Sequence, residues 1–159
     1  NELVLNREII DIKEILFQLK ENFETFQKAP NSQLLLTLSE GSHSLNGDPV
    51  HLTNVLYNLM DNAIKYSDGI IHIAIKTEVS SSHLIIEFED KGIGISKEHQ
   101  KSIFDKFYRV PTGNVHNVKG FGLGLYYVKL IVEGHGGQIS MRSAPKEGAA
   151  FTIKLPFKA

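Results

Sequence analysis

Asn58, Asn62 and Lys65 are spaced four and then three residues apart, which puts them on one face of any helix that carries them. At about 100° per residue they fall within roughly 60° of one another, with the apolar residues of the same stretch centred about 130° away. Asn is a poor helix former, so a solvated face normally carries Lys and Glu. Two Asn residues at this spacing are a mild local cost that a ligand could justify. Amide carbonyls suit Mg²⁺, but neutral ligands hold it only if the ion arrives with a polyphosphate, for which Lys65 offers a point charge. The ordinary alternative is a polar surface face.

Glycines form a second group. Nine of the 13 lie between Gly92 and Gly137, five of them in Gly92-Ile-Gly94 and Gly120-Phe-Gly122-Leu-Gly124. Such turns let backbone amides approach a phosphate closely, although they serve equally as plain turns. Neither cluster is G-x-G-x-x-G, and no G-x-x-x-x-G-K-[ST] occurs, which argues against a Rossmann or P-loop protein. Asp90 is the third feature, ending an apolar run directly before Lys91-Gly92. A carboxylate there can accept from the exocyclic amine of adenine, whereas guanine would oppose it with a carbonyl; Asp also caps turns.

Other chemistries are poorly supplied. None of the seven histidines (His43, His51, His72, His83, His99, His116, His135) is followed by an acid, and no pair has an obvious metal-ligand spacing. The absence of Cys excludes disulfide and thiolate chemistry and fits a reducing compartment. Seventeen basic against eighteen acidic residues argue against an electrostatic grip on nucleic acid and give no polybasic membrane surface. Apolar runs are far short of the roughly 18 residues that a bilayer requires, and no signal peptide is visible. Because the chain opens at Asn1 and not at Met, a longer parent protein is expected.

The elements that must position these residues follow from periodicity. Ile9, Ile12, Leu16, Leu19, Phe23 and Phe26 predict a helix from about residue 7 to 28, ended by Pro30 and Asn31. Leu34 to Leu38 reads as a short buried strand and Glu40 to Gly47 as a loop. Asp48-Pro49 is a helix start, and Leu52, Val55, Leu56, Leu59, Ala63 and Ile64 form the inner face of a helix to about Tyr66. Ile71, Ile73 and Ile75, then Leu84, Ile86 and Phe88, alternate as two strands joined through Ser80-Ser81-Ser82. A short helix is expected over 96–104, a mobile aperiodic segment over 110–121, a buried helix over about 123–133 and two closing strands over 138–143 and 150–155. The sum is one α/β (α+β) domain, a mixed or antiparallel sheet covered by helices.

Taken in order, Asn58-Leu-Met-Asp-Asn62-Ala-Ile-Lys65-Tyr66-Ser, Asp90-Lys-Gly92-Ile-Gly94-Ile, Phe104-Asp-Lys-Phe107-Tyr108-Arg109 and Gly120-Phe-Gly122-Leu-Gly124-Leu closely resemble the N, G1, F and G2 boxes of the catalytic and ATP-binding domain of bacterial sensor histidine kinases. The resemblance extends over essentially the whole chain, 1–159. It implies a two-layer α/β sandwich, a mixed sheet of about five strands covered on one face by three helices, with ATP between the layers. It also implies that Asn62 and Asn58 hold Mg²⁺ on the triphosphate, that Lys65 reaches a phosphate, and that Tyr66 lines the adenosine end. Asp90 would bind the adenine amine while Gly92 and Gly94 let the chain pass close to the base. Arg109 would face the γ-phosphate, making Asn58, Lys65 and Arg109 the residues nearest the chemistry. Gly120, Gly122 and Gly124 would hinge a lid over 110–121, and Ile95, Phe107, Phe121, Leu123 and Leu125 would complete the nucleotide contacts. At Phe121 the family often has Thr.

The resemblance further implies transfer of the γ-phosphoryl group to a His on an upstream dimerising hairpin, the histidine-phosphotransfer domain, that this chain does not contain. A response regulator receiver domain would act downstream. The chain would then be inactive as a kinase by itself, monomeric, without direct membrane or nucleic-acid contact, and cytoplasmic, in a parent that in many relatives is anchored in the inner membrane. Two alternatives share the sandwich: a gyrase-like ATPase module and a nucleotide-binding interaction module without phosphotransfer. The ATPases place a Glu where this chain has Asn58, and an amide has no useful basicity for activating water. A serine kinase of the anti-sigma type is a further relative of the same boxes.

Overall fold

The structure, a computed structural model, describes residues 2–27, 30–108 and 124–158. Arg109, Gly120, Phe121, Gly122, Leu123 and the expected lid therefore lie outside the described residues. Five strands form the main sheet in the order β2-β4-β5-β7-β6, with β2 (Gln33–Thr37) parallel to β4 (His72–Val79) and the other neighbours antiparallel. Strands β5 (His83–Asp90), β6 (Gln138–Ser143) and β7 (Ala149–Pro156) complete it. The central strand is β5, and its last residue, Asp90, pairs with Ile73 on one side and Ala149 on the other. Alternate residues Ile73, Ile75, Leu84, Ile86, Phe88, Ile153 and Leu155 are buried beneath the helices, as a sheet with one covered face requires.

Three long helices lie on that face: α1 (Ile12–Phe26), α2 (Pro49–Lys65) and α4 (Gly124–Gly134), with a single-turn α3 (Lys97–Gln100) between α2 and α4 in sequence. Their apolar stripes supply Leu16 and Leu19, Leu52, Val55, Leu56 and Leu59, and Val128, Ile131 and Val132 to one contiguous core. Among the described residues no helix is long and apolar enough to cross a membrane.

Three expectations need correction. The first helix starts at Ile12 and not near residue 7, because Glu8–Asp11 is strand β1, paired antiparallel with β3 (Ser44–Gly47). Ile9, placed by spacing on the helical stripe, is 75% exposed, and Phe26 at the other end is 73% exposed. Asp11 supplies the real N-cap, its Oδ1 accepting from Lys13 N at 2.9 Å. The expected loop over 40–47 accordingly contains β3. Helix α3 is also shorter than 96–104, giving way to turns after Gln100.

Helices α2 and α4 are tied where α2 begins and α4 ends. Asp48 is 3% exposed and caps α2, Oδ1 accepting from Val50 N and His51 N at 3.0 Å each and Oδ2 from Asn6 N at 2.8 Å. Its own amide donates to Nε2 of His135 at 2.9 Å, and the Nδ1–H of His135 donates to Ile131 O at 2.8 Å. Arg7 Nη2 donates to Gly134 O at 2.7 Å, a cation on the carbonyl end of a helix. Burial alone would push the Asp48 carboxyl up, but the amides of His51, Asn6 and Val50, together with the nearby His51 ring, hold it below its ordinary value. Burial lowers His135 and keeps its imidazole neutral.

Candidate functional site

The opposite ends of the same two helices carry the expected site residues. Asn58, Asn62 and Lys65 follow one another up one face of α2, Asn58 and Asn62 half-buried and Lys65 exposed. The Nδ2 of Asn58 donates to Asn54 O at 2.8 Å, which commits one end of the amide. The other end, Oδ1, faces the first residue of α4. A Cβ added to Gly124 would lie 3.3 Å from it. A carbonyl oxygen suited to a hard cation thus stands beside Gly124, the first described residue of α4.

Tyr66 closes α2, and its side chain lines a cleft together with Asn62, Ile95, Ile103, Tyr108 and Leu125. Its carbonyl accepts from Ile93 N at 2.9 Å, so the chain after β5 packs against the end of α2. Gly92 makes that approach possible: a Cβ there would meet Tyr66 O at 2.2 Å and Asp90 Oδ1 at 2.9 Å. Gly94 has φ +74° and would drive a Cβ to within 1.9 Å of Ala144 O. Both glycines are therefore required by neighbouring protein backbone, whatever else passes them.

Asp90 is 5% exposed at the end of the central strand, with Oδ1 accepting from Gly92 N at 2.9 Å. Burial raises its pKa, the amides of Gly92 and Ala149 oppose that rise, and the neighbouring Glu89 adds to it. A carboxylate has about four acceptor sites, so these amides do not exhaust it. Ile95 is anchored beside it: its amide donates to Ser143 Oγ at 2.8 Å, and its carbonyl accepts from Gln100 Nε2 at 2.7 Å.

Asn62, Tyr66, Ile95 and Leu125 thus line one cleft, Asn58 meets Gly124, and Gly92 packs on the Tyr66 carbonyl while its amide donates to Asp90. Phe107 stands apart, 66% exposed at φ 66°. Its neighbour Tyr108 lines the cleft instead and hydrogen-bonds through Oη to His99 Nδ1. Tyr108 and Ile103 were not named from the sequence; Tyr108 lies within the quoted F box, and Ile103 carries no comparable signal. For metal binding, no group of three or more His, Cys, Asp or Glu residues exists among the described residues. The neutral oxygens of Asn58 and Asn62 fit a Mg²⁺ ion that brings phosphate oxygens with it, and do not fit a bare cation.

Comparison with known proteins speaks to the family and the fold. The model of the family described as histidine kinase-, DNA gyrase B- and HSP90-like ATPase matches residues 47–159. The sensor protein RprX of Bacteroides fragilis is 41% identical over 92% of this chain, and the chain spans 29% of that relative's length. The histidine kinase AdeS of Acinetobacter baumannii is similar in structure, with a TM-score of 0.72 and 30% identity over 98% of this chain and 69% of that one. The histidine kinase ThkA, solved in complex with the response regulator protein TrrA, superposes with a TM-score of 0.79 over 99% of this chain and 43% of that one. At 22% identity, this last likeness speaks for the fold. The family model over residues 47–159 and relatives at 30% identity and above lead to one assignment: the chain belongs to the histidine kinase-, DNA gyrase B- and HSP90-like ATPase family, on its histidine kinase branch.

Proposed function

We propose that this chain binds Mg-ATP and presents its γ-phosphoryl group to a histidine on another domain of a sensor kinase. The observation that carries the proposal is the opposition of Asn58 Oδ1 and the start of α4 at Gly124. It sets an oxygen ligand for a cation beside the glycine of the fourth box, where the resemblance puts amides for the phosphates of a metal-bound triphosphate. Asn62 and Asn58 hold the metal, which when bound neutralises charge on the phosphates. Lys65 reaches a phosphate, Tyr66, Ile95 and Leu125 line the nucleoside side, and Asp90 accepts from the adenine amine. Arg109 contacts the γ-phosphate, and Phe107, Gly120, Phe121, Gly122 and Leu123 belong to the F box and the lid.

Transfer breaks the phosphoanhydride P–O bond to the departing ADP and makes a P–N bond to an imidazole. No residue here is placed as that nucleophile, since no histidine of the chain is followed by an acid. The chain's contribution is positioning and electrostatic stabilisation. Hydrolysis is disfavoured because Asn58 offers an amide where a general base would be needed. A histidine-phosphotransfer domain is the proposed acceptor and a response regulator the proposed recipient thereafter, in the cytoplasm.

Calorimetric titration with a non-hydrolysable ATP analogue, with and without Mg²⁺, tests the core of this reading. Saturable one-to-one binding that requires Mg²⁺ is expected, with no phosphate release from ATP itself. Absence of binding, or steady phosphate release that Asn58→Ala abolishes, would overturn it.

A further inference from the structure

Helices α2 and α4 pack together, and their buried apolar residues, Val55 and Leu59 on one and Val128, Ile131 and Val132 on the other, belong to one core. Such packing holds two helices at a distance, yet it is non-directional and sets their axial register weakly. The register matters here, because it decides how far the start of α4 stands from Asn58.

Besides the Asp48–His135 tie at the far end, polar contacts at Tyr127 join the helices one turn from Gly124. Tyr127 Oη lies 2.6 Å from His51 Nδ1, with the two rings 5.9 Å apart and tilted by 45°. Asn54 Nδ2 approaches the same hydroxyl at 3.5 Å, and the carbonyl of Asn54 accepts from Asn58 Nδ2. His51, Asn54, Asn58, Asn62 and Lys65 are spaced three, four, four and three apart, so the contact continues the ligand face of α2. On α4, Tyr127 is three residues after Gly124, one turn above it on the same side. The two helices are thus joined by a short strut one to two turns from the point where Asn58 faces Gly124.

The geometry points to Tyr127 and His51 as positioning residues that fix the start of α4 against Asn58 and so set the spacing of the triphosphate-binding surfaces. Neither touches the nucleotide in this assignment. Tyr127 acts through Gly124, and His51 acts through Tyr127. The inference rests on the proposed function, since it concerns the same cleft, but it makes a separable claim. The strut bears on Gly124 and its neighbour Leu125, whereas Asp90 on β5 and Tyr66 at the end of α2 hold the adenosine end independently of it.

Tyr127→Phe removes one oxygen and retains the ring. With the 159-residue chain, it should weaken binding of the Mg²⁺ complex of a non-hydrolysable ATP analogue about fivefold to tenfold, while adenosine affinity, followed by NMR shift titration, stays within twofold of the parent. His51→Leu, which removes the other partner, should reproduce the same split. Tyr126→Phe is the control, because its neighbouring ring meets Lys106 and not α2; it should change neither affinity. Triphosphate affinity within twofold of the parent in Tyr127→Phe would overturn the strut. A parallel loss for adenosine would overturn it too, since that would mark a general packing defect. If the parent chain binds neither nucleotide, the proposed function itself fails and the strut with it, a result distinct from an altered variant of a binding parent.

Discussion

The two ends of the α2/α4 pair make opposite use of the same kinds of atom. Where α2 begins and α4 ends, Asp48, His135 and the Gly134 carbonyl find their partners within the chain, and Asp48 and His135 are almost wholly buried. Where α2 ends and α4 begins, Asn58 and Asn62 are half-exposed, and an amide oxygen looks towards a helix start. A buried polar group left unpaired costs about 1–3 kcal/mol, so the first end is built for stability. The second keeps its polar capacity available. The contrast teaches how a helix pair can serve as both scaffold and site: saturate one end and leave the other unfinished.

The largest effect should come from breaking the saturated end. Asp48→Ala removes an N-cap and strands buried amides, which should cost about 3 kcal/mol of stability and lower the melting temperature by roughly 6–12 °C. Affinity of the folded variant for an ATP analogue should stay within about threefold of the parent. Parallel loss of both would show that the two ends are not separable.

At the nucleotide end, Asp90→Asn should weaken ATP-analogue binding about 100-fold and relax discrimination against guanine. Thermal melting should show no loss of stability, because burial already disfavours the ionised carboxylate in the fold. A variant that melts early but binds normally would move Asp90 from site to scaffold. Asn62→Ala is expected to act more weakly, about tenfold on binding, by removing most of the Mg²⁺ dependence in a titration run with and without the ion. Retained dependence would place the metal elsewhere.

The smallest effect is a separation by pH. His135 is held neutral with its pKa lowered, so the unfolded chain binds more protons as pH falls through about 6.5 and stability declines below that point. Asp48, also lowered, adds to the loss only near and below the ordinary carboxylate range. Asp90 is raised by burial, so its acceptor role is lost as pH falls through a point above the ordinary carboxylate value. Denaturation and binding measured in parallel across pH 7 to 5 should show stability falling with protonation of His135 in the unfolded chain, while affinity follows Asp90 with an onset of its own. His135→Gln should flatten the stability limb.

What could be read in the sequence was local. The Asp48 cap, the α2 stripe and the Asn58–Asn62–Lys65 row all depend on spacings of three and four along one helix, and each appears where expected. The four boxes identified the family because their order spans the chain. The β1/β3 pair stayed hidden because Ile9 pairs with Asn46, a partner far along the chain, while its spacing from Ile12 imitates a helical step. His135 looked like an ordinary polar residue. Its burial and its bond to Asp48 depend on α4 folding back along α2. Gly92 and Gly94 were expected to admit a base, yet the closest atoms belong to Tyr66 and Ala144, a constraint that only tertiary packing reveals. Phe107 and Tyr108 are adjacent in sequence but not in role, because a positive φ at Phe107 turns the chain between them.

The hold of Asn6 and Arg7 on Asp48 and Gly134 also bears on where this chain can be cut. The family match begins at residue 47, but a fragment trimmed to that point would lose the β1/β3 pair, strand β2 and the α1 residues Ile12, Leu16, Leu19 and Phe23, all at most 4% exposed. Even a deletion ending at Arg7 would take the donor from Asp48 Oδ2 and the cation from the end of α4. The boundary that matters for expressing or transplanting this module is therefore set by hydrogen bonds that reach back from its sixth and seventh residues, some forty positions before the recognisable motif region starts.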